Sequence, residues 1–295
     1  MSNQDNEGQV NMLNRLMFIA ATVAGSTTGF AQGDTETVRI PGTTVSFNMI
    51  ETPAEGGGTL WVLDTEVTWD LYDVFVYQLD TPEEDEIPTD AVSRPSKPYV
   101  PPDRGFGHDG YPAMGMTLKA AREYCAWLSM KTGDSYRLPT VAEWQHFALA
   151  GSAPPYSFDE KATPDNELVD HAWTTENSNY TTHPVGEKQP NAFGLFDMHG
   201  NLAEWAETGE DPDARPRPKA TAFGGSWRQP ADEAAVDSFD KQASNWNASD
   251  PQIPKSQWWL ADCSWVGFRF VREPSADEPQ TQAPETRPPA TPSDP

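Results

Sequence analysis

The reading of the fold turns on Pro190-Asn191-Ala192-Phe193-Gly194-Leu195-Phe196-Asp197-Met198-His199-Gly200-Asn201-Leu202-Ala203-Glu204-Trp205. In this stretch Asp197 and Glu204 stand seven residues apart on either side of a Gly200-Asn201 turn signal. Two carboxylates and the carbonyls between them can converge on a hard cation, and oxygen ligands of that type suit calcium. The plainer reading is that Gly200-Asn201 makes a turn while Glu204 caps an element or pairs with a basic side chain. Spacing alone leaves both open.

Outward from this segment, regular elements are sparse. Thr117 is placed as an N-cap, followed by Leu118, Ala121, Cys125 and Leu128 on one apolar helical face that Gly133 ends. Thr140-Val141-Ala142-Glu143 has the form of a capping box and predicts a second helix ending near Gly151. Val38–Met49 and Leu60–Val67 read as short strands, and Thr68–Tyr77 as a short helix after the Glu66-Val67-Thr68 turn. From about residue 152 to 272 the chain is rich in Gly, Pro, Asn and Trp, which predicts irregular loops around short strands.

Composition bounds what such a fold can do. The chain has 295 residues and a net charge of −25, of which residues 1–31 carry −1 and residues 274–295 carry −3, leaving −21 between them. A surface of that sign repels phosphate backbones and anionic lipid, so no nucleic-acid partner is expected. With 11 Trp and 13 Phe the middle 240 or so residues can bury a core as one large domain or two small ones. Two cysteines make no disulfide framework, and no Cys-x-x-Cys pair is present for zinc or dithiol chemistry. There is no Gly-x-Ser-x-Gly elbow, phosphate loop or dinucleotide fingerprint, and the five histidines show no metal-ligand pairing.

Both ends read as processing or spacer segments. Leu16–Ala24 is an apolar run followed by Gly29-Phe30-Ala31, the small-x-small pattern of secretory cleavage, so residues 1–31 are expected to be a signal peptide and the domain extracytoplasmic, periplasmic or secreted. The run is about half the roughly 20 residues that span a bilayer, which makes a retained anchor the weaker alternative and no membrane span the expectation. The polar, acidic start is unlike a signal, whereas a chain opening at Met12 would begin Met-Leu-Asn-Arg. Residues 274–295 contain 7 prolines in 22 positions and no large apolar residue, the composition of a disordered tail. Pro82–Pro112, with its Glu83–Glu86 acid run, reads as a long surface loop within the domain.

Taken with Tyr136-Arg137-Leu138-Pro139-Thr140-Val141-Ala142-Glu143-Trp144 upstream, and with Phe223-Gly224-Gly225-Ser226-Trp227-Arg228 and Gly267-Phe268-Arg269 downstream, the opening segment resembles the formylglycine-generating enzymes, or sulfatase-modifying factors. The four motifs lie in the family's order. The resemblance implies one C-type-lectin-like α+β domain over residues 32–273, with little regular secondary structure and long loops. It also implies an oxidase that uses copper and oxygen to convert a sulfatase cysteine to formylglycine. A family calcium site would fall on Asp197, on the carbonyls of Gly200 and Leu202, and on Glu204. The family's other calcium site is not expected, because Ala172–Tyr180 lacks its aspartate.

One departure outweighs these matches. The oxidases place their copper-binding cysteines at the positions that are Gln229 and Ala234 in this sequence. Cu(I) needs soft thiolate ligands, and an amide and a methyl supply none, so copper is not expected. The tryptophan that many relatives carry before Glu-Trp is Ala203, which alters the substrate groove. Cys125 matches a structural family cysteine whose usual partner position is Phe270, with Cys263 seven residues earlier. A Cys125–Cys263 bridge and a pair of buried free thiols are both allowed.

Three functions follow, in order of expectation. The first is a binding module without the cysteine pair, presenting a groove lined by Ser226, Trp227, Arg228 and Gln229, with nearby Trp246, Trp258, Trp259 and Trp265, to a peptide, protein or glycan. Core packing competes as the role of those tryptophans. The second is an oxidoreductase with non-cysteine chemistry, like the relatives implicated in siderophore maturation, for which Asp232 and Glu233 are the nearest candidate acids. The third is a true formylglycine-generating oxidase, against which the missing cysteines argue.

Overall fold

The computed structural model describes residues 33–81, 94–95, 97–98, 101–157, 164–210 and 219–274. The signal-peptide, acid-run and tail expectations therefore fall outside the described residues. Two small sheets and a few helices make a single mixed α/β domain.

The first sheet has five strands. Strands β1 (Thr35–Arg39) and β2 (Ser46–Pro53) form a hairpin with Thr35 opposite Ile50 and Arg39 opposite Ser46. The single strand expected over Val38–Met49 is thus corrected to parts of two, because Pro41-Gly42 breaks it. Gly42 has φ +86°, and a Cβ there would lie 2.9 Å from the Asp80 carbonyl oxygen. Strand β3 (Thr59–Leu63) pairs with β2 and ends before Asp64, shorter than the Leu60–Val67 expected. The late strand β9 (Val271–Arg272) inserts between β3 and β4 (Tyr136–Arg137), so the two ends of the domain meet in one sheet.

Helices α1 (Trp69–Tyr77) and α2 (Leu118–Thr132) pack their aromatic faces together, with Phe75 and Trp127 ring centroids 5.4 Å apart and Tyr72 and Tyr124 5.7 Å apart. The Thr117 hydroxyl accepts from the Ala120 N–H, and Gly133 closes α2 at φ +90°, as the sequence predicts. At α3 (Val141–Leu149) both halves of the capping box form, with Thr140 accepting from the Glu143 N–H and Glu143 from the Thr140 N–H. A further helix, α4 (Pro164–His171), lies in the region expected to be irregular.

The second sheet, β7-β6-β5-β8, is made of β5 (Ala203–Ala206), β6 (Thr221–Phe223), β7 (Phe239–Lys241) and β8 (Val266–Gly267). Strand β5 runs antiparallel to β6 and parallel to β8, placing Glu204 opposite both Phe223 and Gly267. All four residues of β5 are buried. This sheet carries three of the sequence motifs into contact.

Cys125 and Cys263 are both free and both buried, so the bridge is not made. Among the described residues no helix is long and apolar enough to cross a membrane.

Candidate functional site

The site is built where the loop before β5 meets the loop after β6. Asp197, Gly200 and Asn201 take φ values of +53°, +75° and +50° in turn, which folds the loop back on itself. Only glycine fits at position 200, because a Cβ there would stand 2.3 Å from the Trp173 carbonyl oxygen. The Gly200 N–H then donates to Gly224 O at 2.9 Å and the Trp227 N–H to Asn201 O at 2.9 Å, which stitches the two loops together.

Beneath this stitch lies a buried charge node. Arg269 is wholly buried, and its Nε and Nη2 donate to the Glu204 carboxylate at 2.8 and 2.7 Å. Nη2 also donates to Phe196 O at 2.8 Å and Nη1 to Leu63 O at 3.2 Å. Trp144 Nε1 donates to the second Glu204 oxygen at 2.8 Å. Glu66, also fully buried, accepts from the Leu202 N–H and from Asn201 Nδ2, each at 2.8 Å. Asp197 Oδ2 accepts from the Gly186 N–H at 2.7 Å. Burial, with Asp197 and Glu204 nearby, pushes the Glu66 carboxyl well above its ordinary pKa. Burial also raises Asp197 to about 6 against the pull of the Gly186 N–H and Arg269.

The donor set does not fit calcium as the resemblance implies. Both Glu204 oxygens are committed to Arg269 and Trp144. Asp197 Oδ1 is buried without a partner, a feature that by itself favours a cation. With Glu204 committed, the ligands the resemblance implies reduce to Asp197 and two carbonyls, and calcium would take the rest of its 6–8 oxygens from elsewhere. Among the described residues no three His, Cys, Asp or Glu side chains are arranged to hold a metal. The positive charge at this node is the Arg269 guanidinium.

Gln229 and Ala234, which the resemblance sets at the oxidases' cysteine positions, carry other chemistry. The Ser226 hydroxyl donates to Gln229 Oε1 at 2.9 Å, and Gln229 Nε2 donates to Glu233 at 3.4 Å. Ala234 is fully buried; its carbonyl accepts from His199 Nδ1 at 2.8 Å. Burial lowers the His199 pKa to about 4, so the ring is neutral and Nδ1 is the protonated nitrogen. Neither position carries a thiol. Copper therefore has no soft ligand there.

The expected groove is corrected in part. Ser226 and Trp227 are buried, Trp227 donating through Nε1 to Ser264 O at 3.0 Å and packing on Phe106 at 5.2 Å. Of the four residues only Arg228 and Gln229 reach the surface, with Arg228 4.0 Å above the Trp265 ring. Trp246 and Trp258 belong to the core, whereas Trp259 is half-buried and forms a wall of a separate cavity of about 380 Å³. Arg104 and Met114 line that cavity as well. Sequence reasoning missed Glu66 and Arg104. Glu66 lies among partly buried Asp64, Thr65 and Thr68, so its local sequence carried no signal of a buried acid.

The two-sheet arrangement, the stitched loops and the buried Glu204–Arg269 pair define a C-type-lectin-like domain of the sulfatase-modifying type. The chain belongs to the sulfatase-modifying factor enzyme 1-like domain family, which matches residues 29–274. It is 32% identical over 132 residues to the formylglycine-generating enzyme of Mycobacterium tuberculosis, covering 40% of this chain and 42% of that protein. It is 29% identical over 118 residues to chaperone protein LppX of Paenibacillus barcinonensis, covering 35% of this chain and 42% of the chaperone. The chain thus spans less than half the length of these curated relatives. Among solved structures, Treponema denticola variable protein 1 superposes with a TM-score of 0.56 at 22% identity, over 81% of this chain and 99% of that one.

Proposed function

We propose that this chain is a binding member of its family: an extracytoplasmic module that presents a surface to a peptide, protein or glycan and carries no copper chemistry. The observation that carries the reading is the hydrogen-bonded Ser226–Gln229–Glu233 chain, with buried Ala234, at the positions where the oxidases hold copper. The two thiols present give no substitute, since both are buried and burial raises both pKa values, that of Cys263 to about 12. A relative named as a chaperone supports a binding role within the family. The extracytoplasmic placement rests on the Leu16–Ala24 run and its small-x-small end. The oxidoreductase alternative needs an acid or histidine cluster beside Gln229. Glu233 is there, but its carboxylate accepts from the Gln229 amide, and among the described residues no histidine or second acid is hydrogen-bonded to it.

The test loads the full chain with Cu(I), removes free metal, and measures bound copper and oxygen uptake with a cysteine-containing peptide. Less than about 0.1 copper per chain and no peptide-dependent oxygen uptake are expected. Stoichiometric copper or peptide-dependent uptake would overturn the reading.

A further inference from the structure

The cavity walled by Trp259 and Met114 lies apart from the stitched loops, and two cationic side chains line it in a chain whose net charge is −25. Its volume of about 380 Å³ is in the lower part of the 300–1,000 Å³ range of ligand pockets, enough for one amino-acid-sized group. One wall is the loop carrying Lys97 and Arg104, the other the loop from Asn247 to Ala261.

Asp250 in the second wall, and Asp262 just beyond it, are hydrogen-bonded within their own loop. The Asp250 carboxylate accepts from the Gln252 and Ser256 N–H groups at 3.0 and 2.6 Å and from Asn247 Nδ2 at 3.3 Å. Asp262 accepts from the Ser249 N–H at 2.7 Å and the Ser249 hydroxyl at 2.5 Å. Arg104 is used differently. Among the described residues its guanidinium donates to one acceptor, Leu260 O, through Nη2 at 2.8 Å. Burial lowers its pKa against the pull of Cys263 and Asp262, so the cation is partly stripped of water, and no carboxylate among the described residues is hydrogen-bonded to it. Its backbone is also held at φ +50°, a conformation a non-glycine residue adopts only when its surroundings enforce it.

We propose that this cavity binds a compact organic carboxylate with an apolar body, the carboxylate on Arg104 with Lys97 nearby, the body against Trp259 and Met114. A planar guanidinium with unused donors matches a carboxylate in two parallel hydrogen bonds. A phosphate dianion would meet more of the repulsion of the acidic chain than a carboxylate monoanion does. The aromatic wall suits a flat or branched hydrocarbon group. The same chemistry is offered by a free acid and by the C-terminal residue of a peptide. The inference rests on the binding-module reading and gives that module a ligand class.

The test measures Trp fluorescence and calorimetry on the full chain with four probes: N-acetyl-phenylalanine, its amide, a hexapeptide ending in phenylalanine with a free carboxylate, and the same hexapeptide amidated. The expected result is at least tenfold tighter binding of an acid than of its amide. Preference confined to the hexapeptide pair assigns a peptide C-terminus, and preference shared by the small acid assigns a free ligand. Arg104→Gln should abolish the preference, Arg104→Lys should keep part of it, and Lys97→Gln should reduce it about threefold. The exposed Lys97 keeps the test valid where Arg104→Gln melts the loop. Equal binding of acid and amide, no binding of any probe, or an acid preference that survives both Arg104→Gln and Lys97→Gln would overturn the proposal. Copper retention and oxygen uptake on the same preparation report separately on the absence of oxidase chemistry, so the two readings fail by different measurements.

Discussion

Arg269 and Glu204 form a fully desolvated ion pair, with 0% and 1% of their side chains exposed and Nη2 2.7 Å from Oε1. The pair ties the Gly-Phe-Arg motif after β8 to the centre of β5, and through Trp144 it reaches α3. Three family motifs thus share one buried charge centre.

Removing one partner leaves the other charged and dry, a loss of roughly 3–5 kcal/mol for a buried pair. Glu204→Gln is expected to lower the urea midpoint accordingly, and Arg269→Met more, because Glu66 and Asp197 then lose their nearest cation. The double variant should be less destabilised than the two single losses added. A coupling energy below about 0.5 kcal/mol would contradict the pair as the organising contact.

Calcium gives a second check on the same node. Since both Glu204 oxygens are already bound, 1 mM calcium is expected to shift the melting temperature by less than about 1 °C. A larger shift that disappears in Asp197→Ala would restore the calcium site.

Asp197 sets a pH dependence whose sign is determined. Its folded pKa of about 6 lies above the roughly 3.9 of an unfolded aspartate, so the folded chain holds the extra proton between those values. The stability it contributes is present below pH 4 and is lost as pH rises through 6. His199, lowered to about 4 from about 6.5, works in the opposite direction over pH 4–6.5. The comparison that isolates Asp197 is therefore wild type against Asp197→Asn, which keeps the Gly186 contact. The variant should gain on the wild type between pH 4 and 7 in denaturant melts, and parallel profiles would refute the assignment.

Asp80 behaves as the reverse case. Burial raises its pKa, but hydrogen bonds from Arg94 at 2.9 Å and Lys131 at 2.5 Å outweigh that and hold it at about 2. It joins the end of α1 to α2. Asp80→Asn should cost about 2–4 kcal/mol at neutral pH. The difference from wild type should shrink as pH falls from 4 towards 2, where the native carboxylate itself protonates.

The thiols offer the simplest measurement. Cys125 and Cys263 are 2% and 0% exposed, so both should resist a thiol reagent in the folded chain and both should react in denaturant. Reductant should leave the melting temperature unchanged. One rapidly reacting thiol in the native state would show that the core opens locally.

Local features were legible in the sequence because their partners are a few residues apart. The Thr140–Glu143 box, the Thr117 cap and the Gly133 stop are such cases, each satisfying helix-end groups within one turn. The ordered motifs located the charge centre without its wiring. Glu204 bonds Arg269 across 65 positions and Glu66 bonds Asn201 across 135, and no local spacing encodes those distances. The groove misread has the same origin, since Trp227 is a large aromatic whose burial depends on Phe106 and Ser264 arriving from elsewhere.

By itself the sequence determined the family and its motif order, and it put an amide at Gln229 and a methyl at Ala234, where the resemblance implies thiolates. Those properties are chemical identities at given positions, and folding does not change them. Only the tertiary structure decided that Glu204 is bonded to a buried arginine, that both cysteines stay apart and buried, and that Arg104 stands at the cavity wall with Trp259. Each depends on which distant groups share a desolvated volume, where a single charge or hydrogen bond outweighs local preference.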